Sequence, residues 1–105
     1  MIRVTFLYPN RPGSRFNADY YIDVHMPLAI RLLGPALKDV SAEIGISAAM
    51  PDQPAPYAAI AAFDFESVLA FTAAVMPHFA ELQGDIPNYT DIEPVVQISE
   101  IRISR

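Results

Sequence analysis

The chain contains no cysteine and no tryptophan among its 105 residues. Without cysteine there are no disulfides, no thiolate metal sites and no thiol nucleophile. Basic residues are scarce as well: seven Lys and Arg stand against twelve Asp and Glu, for a net charge of −5. No Lys/Arg stripe exists to neutralise phosphates, so nucleic acid is excluded as a partner. The four glycines are scattered, and no G-x-G-x-x-G or phosphate loop joins a strand to a helix. Long apolar runs are missing too, and the N-terminus alternates like a strand rather than leading into an apolar segment. The expectation is a soluble, cytoplasmic protein with no membrane partner.

What the chain has in quantity is apolar side chains: 52% of residues, with only 18% charged. Its length fits one domain, residues 1–105, able to bury about 65% of the unfolded chain's surface. So much apolar surface on so small a domain calls for a second buried face, and a homodimer is the simplest way to provide one.

Periodicity then divides the chain. Ile2 to Tyr8 alternates as a strand, with Ile2, Val4, Phe6 and Tyr8 on one face and Arg3, Thr5 and Leu7 on the other. Pro9-Asn10-Arg11-Pro12-Gly13 breaks it. Asn17 is a helix N-cap, with Phe16 and Tyr21 placed as a hydrophobic staple. That helix runs to Leu33 and stops at Gly34-Pro35. A second strand lies within Val40–Ser47, with Val40, Ala42, Ile44 and Ile46 on one face. A Pro-rich loop, Met50–Pro56, leads into a third strand, Tyr57 to Phe65. A second helix begins at Ser67 and is kinked or divided at Pro77. Gly84-Asp85-Ile86-Pro87-Asn88 ends it and opens a loop, and Val95 to Ile103 is the last strand.

The order β-α-β-β-α-β is the ferredoxin-like arrangement, an α+β fold with a four-stranded antiparallel sheet. Two helices cover one face of such a sheet. The other face, which also carries apolar groups, is expected to meet the sheet of an identical chain.

Several short motifs in order now point to a family. They are Tyr8-Pro9-Asn10 after the first strand, Asp19-Tyr20-Tyr21 and His25-Met26-Pro27 in the first helix, and Gly84-Asp85-Ile86-Pro87-Asn88-Tyr89-Thr90-Asp91 before Val95-Val96-Gln97-Ile98-Ser99. Together they resemble the EthD family across essentially the whole chain. The resemblance implies a dimeric α/β barrel, in which two ferredoxin-like sheets pack face to face. The family's founding member is associated with ether degradation alongside a cytochrome P450 system, which implies a role in the catabolism of an organic compound.

For chemistry the strongest candidate is His25. At 100° per residue it shares an arc with Tyr21, Leu28, Ala29 and Leu32, while Asp23 and Arg31 lie opposite. Pro27 removes the amide that would bond the carbonyl of Asp23, and so bends the helix beside the histidine. A core histidine bonded to a backbone carbonyl is the competing reading; the His-x-Pro and Tyr-Tyr positions shared with the family favour a site. His25, Tyr21 and His78 are the catalytic candidates. Tyr8, Tyr20, Phe6, Phe65, Phe79, Asn88 and Tyr89 are the candidate ligand-binding residues of an apolar pocket with a few directional donors. Asp85 and Asp91 read as caps for turn amides. His25 and His78 lack metal-ligand spacing, and no cofactor is expected.

Two functions fit. One is a cofactor-independent enzyme acting on a small apolar or aromatic molecule, with His25 moving a proton in an isomerase, cyclase or decarboxylase type of reaction. The other is a non-catalytic hydrophobic-ligand carrier or accessory protein to an oxygenase system. Haem handling through His78, by analogy with other barrels of this architecture, ranks behind both.

Overall fold

The computed structural model describes all 105 residues. Four strands form one antiparallel sheet: β1 (Ile2–Pro9), β2 (Asp39–Ile44), β3 (Tyr57–Phe65) and β4 (Val95–Glu100). Their order across the sheet is β2-β3-β1-β4, the α+β ferredoxin-like topology. One helical run, 18–36, links β1 to β2, and another, 68–88, links β3 to β4. None of the helices is long and apolar enough to cross a membrane.

Register sorts the two faces. Val4 lies between Phe63 and Ile98, and Phe6 between Ala61 and Val96. Val4, Tyr8, Ala59, Ala61, Phe63 and Phe65 are buried on this face beneath the helices. Full burial of a side chain the size of Phe65 contributes about 1.5–3 kcal/mol. The opposite face carries Leu7, Ile60, Ala62 and Val95 beside Thr5, Ser41 and Gln97, and no element of the chain crosses it. Near one end of that face the Arg3 guanidinium grips the buried Asp64 carboxylate with two bonds, 2.7 and 3.0 Å.

The first helical run starts as its sequence predicts. Asn17 accepts a bond from the Tyr20 amide at 3.1 Å, and the Phe16 and Tyr21 rings meet at 5.1 Å. It then departs from a regular helix. Residues Tyr21–His25 form a π-helical turn, in which the Met26 amide reaches back five residues to the Tyr21 carbonyl. Pro27 cannot donate to Asp23, and the widened turn just before it accommodates the missing bond. The extra residue rotates the face that follows. Tyr21, His25, Met26, Ala29 and Leu33 are buried, whereas Leu28 and Leu32, expected on that face, are only half-buried. Gly34, at φ +65°, ends the α-helix after Leu33 in a conformation that suits glycine, and a 3-10 turn (Gly34–Ala36) closes the run.

Ser67 caps the second run through a bond from the Ala70 amide. Pro77 divides it: an α-helix (Val68–Val75), a 3-10 turn (Met76–His78) and another α-helix (Phe79–Asp85) follow in sequence. Contrary to expectation, Gly84 and Asp85 stay helical, and a further 3-10 turn (Ile86–Asn88) takes the place of the predicted loop. Pro87 occupies an early position of that turn, where the missing amide costs nothing.

Two strands stop short of their alternating patterns. β2 ends at Ile44; Gly45, whose amide still bonds the Ala58 carbonyl of β3, runs so close that a Cβ there would collide with the Tyr57 carbonyl oxygen and the Ala55 side chain. Ile46, expected to share a strand face with Val40, Ala42 and Ile44, lies beyond the strand and is 95% exposed. β4 ends at Glu100, opposite Ile2, and the next amide, that of Ile101, bonds the Met1 carbonyl.

Candidate functional site

A cavity of about 350 Å³ lies between the two helical runs and the sheet. Phe6, Phe63 and Val96 of the sheet form its floor; Met26, Ala29 and Leu33 form one wall, and Phe71, Val75, Met76, Phe79, Leu82 and Ile86 the other. Tyr8, Tyr21 and His25 bring polar atoms to this apolar space, joined by Thr72 and Gln83 from the second run. The Thr72 hydroxyl is occupied, donating to the Val68 carbonyl at 3.0 Å. No lysine or arginine borders the cavity.

His25 is buried, and its Nδ1 sits 2.8 Å from Oδ2 of Asp85. The two side chains come from different helical runs, 60 positions apart. The same carboxylate accepts from the Tyr20 hydroxyl at 2.6 Å and from the Asn88 side-chain amide at 2.9 Å, both at Oδ1. Burial acts to raise the carboxyl's pKa, but the hydrogen bonds from Tyr20, Asn88 and His25 outweigh it and hold Asp85 below its ordinary value. An ionised carboxylate only accepts, so Nδ1 of His25 carries the hydrogen, and the lone pair of a neutral ring is left on Nε2. In return, the bond to Asp85 together with burial raises the Tyr20 phenol and keeps it a donor.

Three phenols stand beside the histidine. Tyr8 and Tyr89 share a buried hydroxyl–hydroxyl bond of 2.8 Å. The Tyr21 ring stacks on His25 with centroids 5.7 Å apart and planes 14° from parallel. Desolvation raises all three phenols, so they remain protonated.

The sequence-predicted residues thus fall into three groups. Tyr8, Tyr21, His25, Phe6 and Phe79 line the cavity. Tyr20 and Asn88 sit behind it and hold Asp85, while Tyr89 packs against His25 with ring centroids 4.7 Å apart. Phe65 and His78 are elsewhere: Phe65 is sealed against Phe71, and His78 is half-buried on the 3-10 turn without bordering the cavity. Asp91 does serve a loop amide, that of Arg15 at 2.8 Å.

Asp85 is the residue that sequence reasoning assigned to the wrong task. Its carboxylate receives three side chains, not turn amides. The spacing Asp85-x-x-Asn88 puts both residues on one helical face, a signal legible only once 84–88 is known to be helical. No group of three or more His, Asp or Glu side chains converges as a metal site would require.

The EthD domain model matches residues 16–93. Among solved structures, an EthD-like protein from Ralstonia eutropha JMP134 is 42% identical to this chain, with a TM-score of 0.94 over 99% of this chain and 94% of the other. An EthD family protein from Bacillus halodurans C-125 is 13% identical, with a TM-score of 0.69 over 96% and 98% of the two chains. A protein from Arabidopsis thaliana is 15% identical, also at 0.69, over 100% and 99%. The last two are alike in fold alone. No curated protein matches the chain.

Proposed function

Since the chain belongs to the EthD family, we propose that it is a cofactor-independent enzyme in which His25 moves a proton on a small, largely apolar organic molecule. One observation carries this reading: His25 has an ionised carboxylate behind its Nδ1 and an apolar cavity before its other nitrogen. A histidine serving only the core needs one partner. This one is held in a single tautomer by a carboxylate that two further side chains keep in place. The carboxylate also stabilises the imidazolium that forms when Nε2 takes a proton, as in acid–base sites generally. A space of about 350 Å³ suits a one- or two-ring molecule.

The test uses 5-nitrobenzisoxazole, which opens to a coloured cyanophenolate when a base removes its ring C–H. Wild-type protein is expected to speed the opening well above buffer, and His25→Ala to abolish that gain while remaining folded by circular dichroism. Equal rates with both proteins, alongside undiminished binding of the probe, would favour a carrier of hydrophobic ligands instead.

The uncovered sheet face supports a second element of the proposal, a homodimer through Leu7, Ile60, Ala62 and Val95. An interface of that kind would bury roughly 1,500–2,500 Å² in total. Light scattering that finds a stable 11.6 kDa species at micromolar concentration would rule it out.

A further inference from the structure

Two polar atoms of buried residues at the cavity are left without work inside the protein. Every fully sealed side-chain nitrogen and oxygen has a hydrogen-bond partner. Nε2 of His25 has none, its ring being bonded only through Nδ1. The Tyr21 hydroxyl lies near that of Tyr8 but makes no well-formed bond with it, whereas Tyr8 and Tyr89 are paired. Both atoms must therefore reach open space, and the open space that both residues border is the cavity. Yet the two residues are among the most buried in the chain, with His25 8% and Tyr21 1% exposed.

Their chemistry is complementary. Nε2 is an acceptor, fixed as such by Asp85, and the phenol is a donor. The π-helical turn sets the two rings side by side. With no cation at the cavity, nothing there would balance a substrate carboxylate or phosphate. No free serine, cysteine or threonine nucleophile is present either.

We infer that the substrate is a neutral, enolisable carbonyl compound with an apolar or aromatic body, and that Tyr21 holds its carbonyl oxygen while His25 removes a proton from the neighbouring carbon. This assignment rests on the proton-transfer reading above and names its substrate class. In the step, the α C–H bond breaks and its proton goes to Nε2 of His25. The electron pair forms a carbon–carbon double bond, and the carbonyl π pair moves to oxygen as an enolate, hydrogen-bonded by the Tyr21 phenol. The imidazolium, paired with Asp85, returns the proton to the same carbon or to a conjugated one, so no further reactant is consumed. A donor aimed at charge that develops only during reaction typically contributes about 10²–10³ in rate.

The probe is 2-tetralone in D2O, with deuterium entry at its α carbons followed by NMR. Wild-type protein is expected to speed exchange above buffer, His25→Ala to lose the gain, and Tyr21→Phe to lower it by about 10²-fold. Tyr21→Phe should slow 2-tetralone exchange far more than the opening of 5-nitrobenzisoxazole, since that probe has no carbonyl and its nitro-stabilised phenolate leaves unaided. Circular dichroism checks that the variant is folded. If 5-nitrobenzisoxazole opens but 2-tetralone does not exchange, the carbonyl assignment is wrong while the proton-transfer reading stands; the wild-type protein alone decides this. If neither probe reacts, both readings fall. Exchange as fast in Tyr21→Phe as in wild type would remove Tyr21 from the role.

Discussion

Replacing Asp85 with asparagine separates orientation from packing, because the side chain keeps its shape and loses one acceptor. Oδ1 remains to accept from Tyr20 and Asn88, at 2.6 and 2.9 Å in the wild type. The atom 2.8 Å from Nδ1 of His25 becomes an NH2 and can only donate. The ring must then turn its lone pair to Nδ1 and carry its hydrogen on Nε2, the wrong tautomer for a base facing the cavity. Charge-assisted bonds are worth about 1.5–3 kcal/mol and neutral ones about 0.5–1.5 kcal/mol. The two retained bonds should therefore weaken by about 1 kcal/mol each, partly offset because a neutral amide is cheaper to bury. The net cost to stability is about 1–2 kcal/mol, a drop in Tm of roughly 5–10 °C for a domain of this size. The rate should fall much further, by up to about 10⁴-fold, the scale seen when a catalytic histidine is locked in the wrong tautomer. The stability gap is also pH-dependent. Asp85 is held below its ordinary value when folded, so its contribution is complete above the unfolded carboxyl value of about 3.9 and is lost as pH falls through the folded one. Urea denaturation from pH 7 down to about pH 2 and the opening of 5-nitrobenzisoxazole are the assays. A rate loss below about tenfold, or a stability gap that persists unchanged into strong acid, would refute the reasoning.

Other sites give independent checks on the fold. Gly45→Ala should destabilise by about 1–3 kcal/mol, because the new Cβ meets backbone at Tyr57 that has no room to yield; an unchanged urea midpoint would contradict the close approach. Arg3→Ala should lower stability by leaving the buried Asp64 carboxylate without its partner, an effect moderated by the partial exposure of Arg3. An unchanged urea midpoint in Arg3→Ala would contradict it.

The elements legible in the sequence are those that local chemistry decides. Alternation in Ile2 to Tyr8 and in Tyr57 to Phe65, the Asn17 and Ser67 caps, and the break at Pro77 all appear where the residue types place them. What the sequence hid depends on distant neighbours. Ile46 and Ile103 alternate like strand residues but have no strand beside them to pair with. Leu28 and Leu32 fit an ideal helical face that the π-turn at Tyr21–His25 rotates away. Within the site, His25 and Tyr21 could be singled out because they lie on an amphipathic helix beside Pro27. Asp85 could not, because its role exists only where two helical runs meet across 60 positions of sequence. His78 drew notice as the second histidine, yet the turn imposed by Pro77 leaves it away from the cavity.

Whether His25 can act as a base toward the cavity depends on which of its nitrogens carries the hydrogen. Nitrogen-15 NMR of the imidazole ring, recorded on the wild-type protein at a pH where the ring is neutral, reads this directly from the two nitrogen shifts and their couplings to the ring protons. The expected result is a protonated Nδ1, bonded to Asp85, and a bare Nε2 whose shift moves when 2-tetralone is added. A neutral ring with its hydrogen on Nε2 and a bare Nδ1 would contradict it.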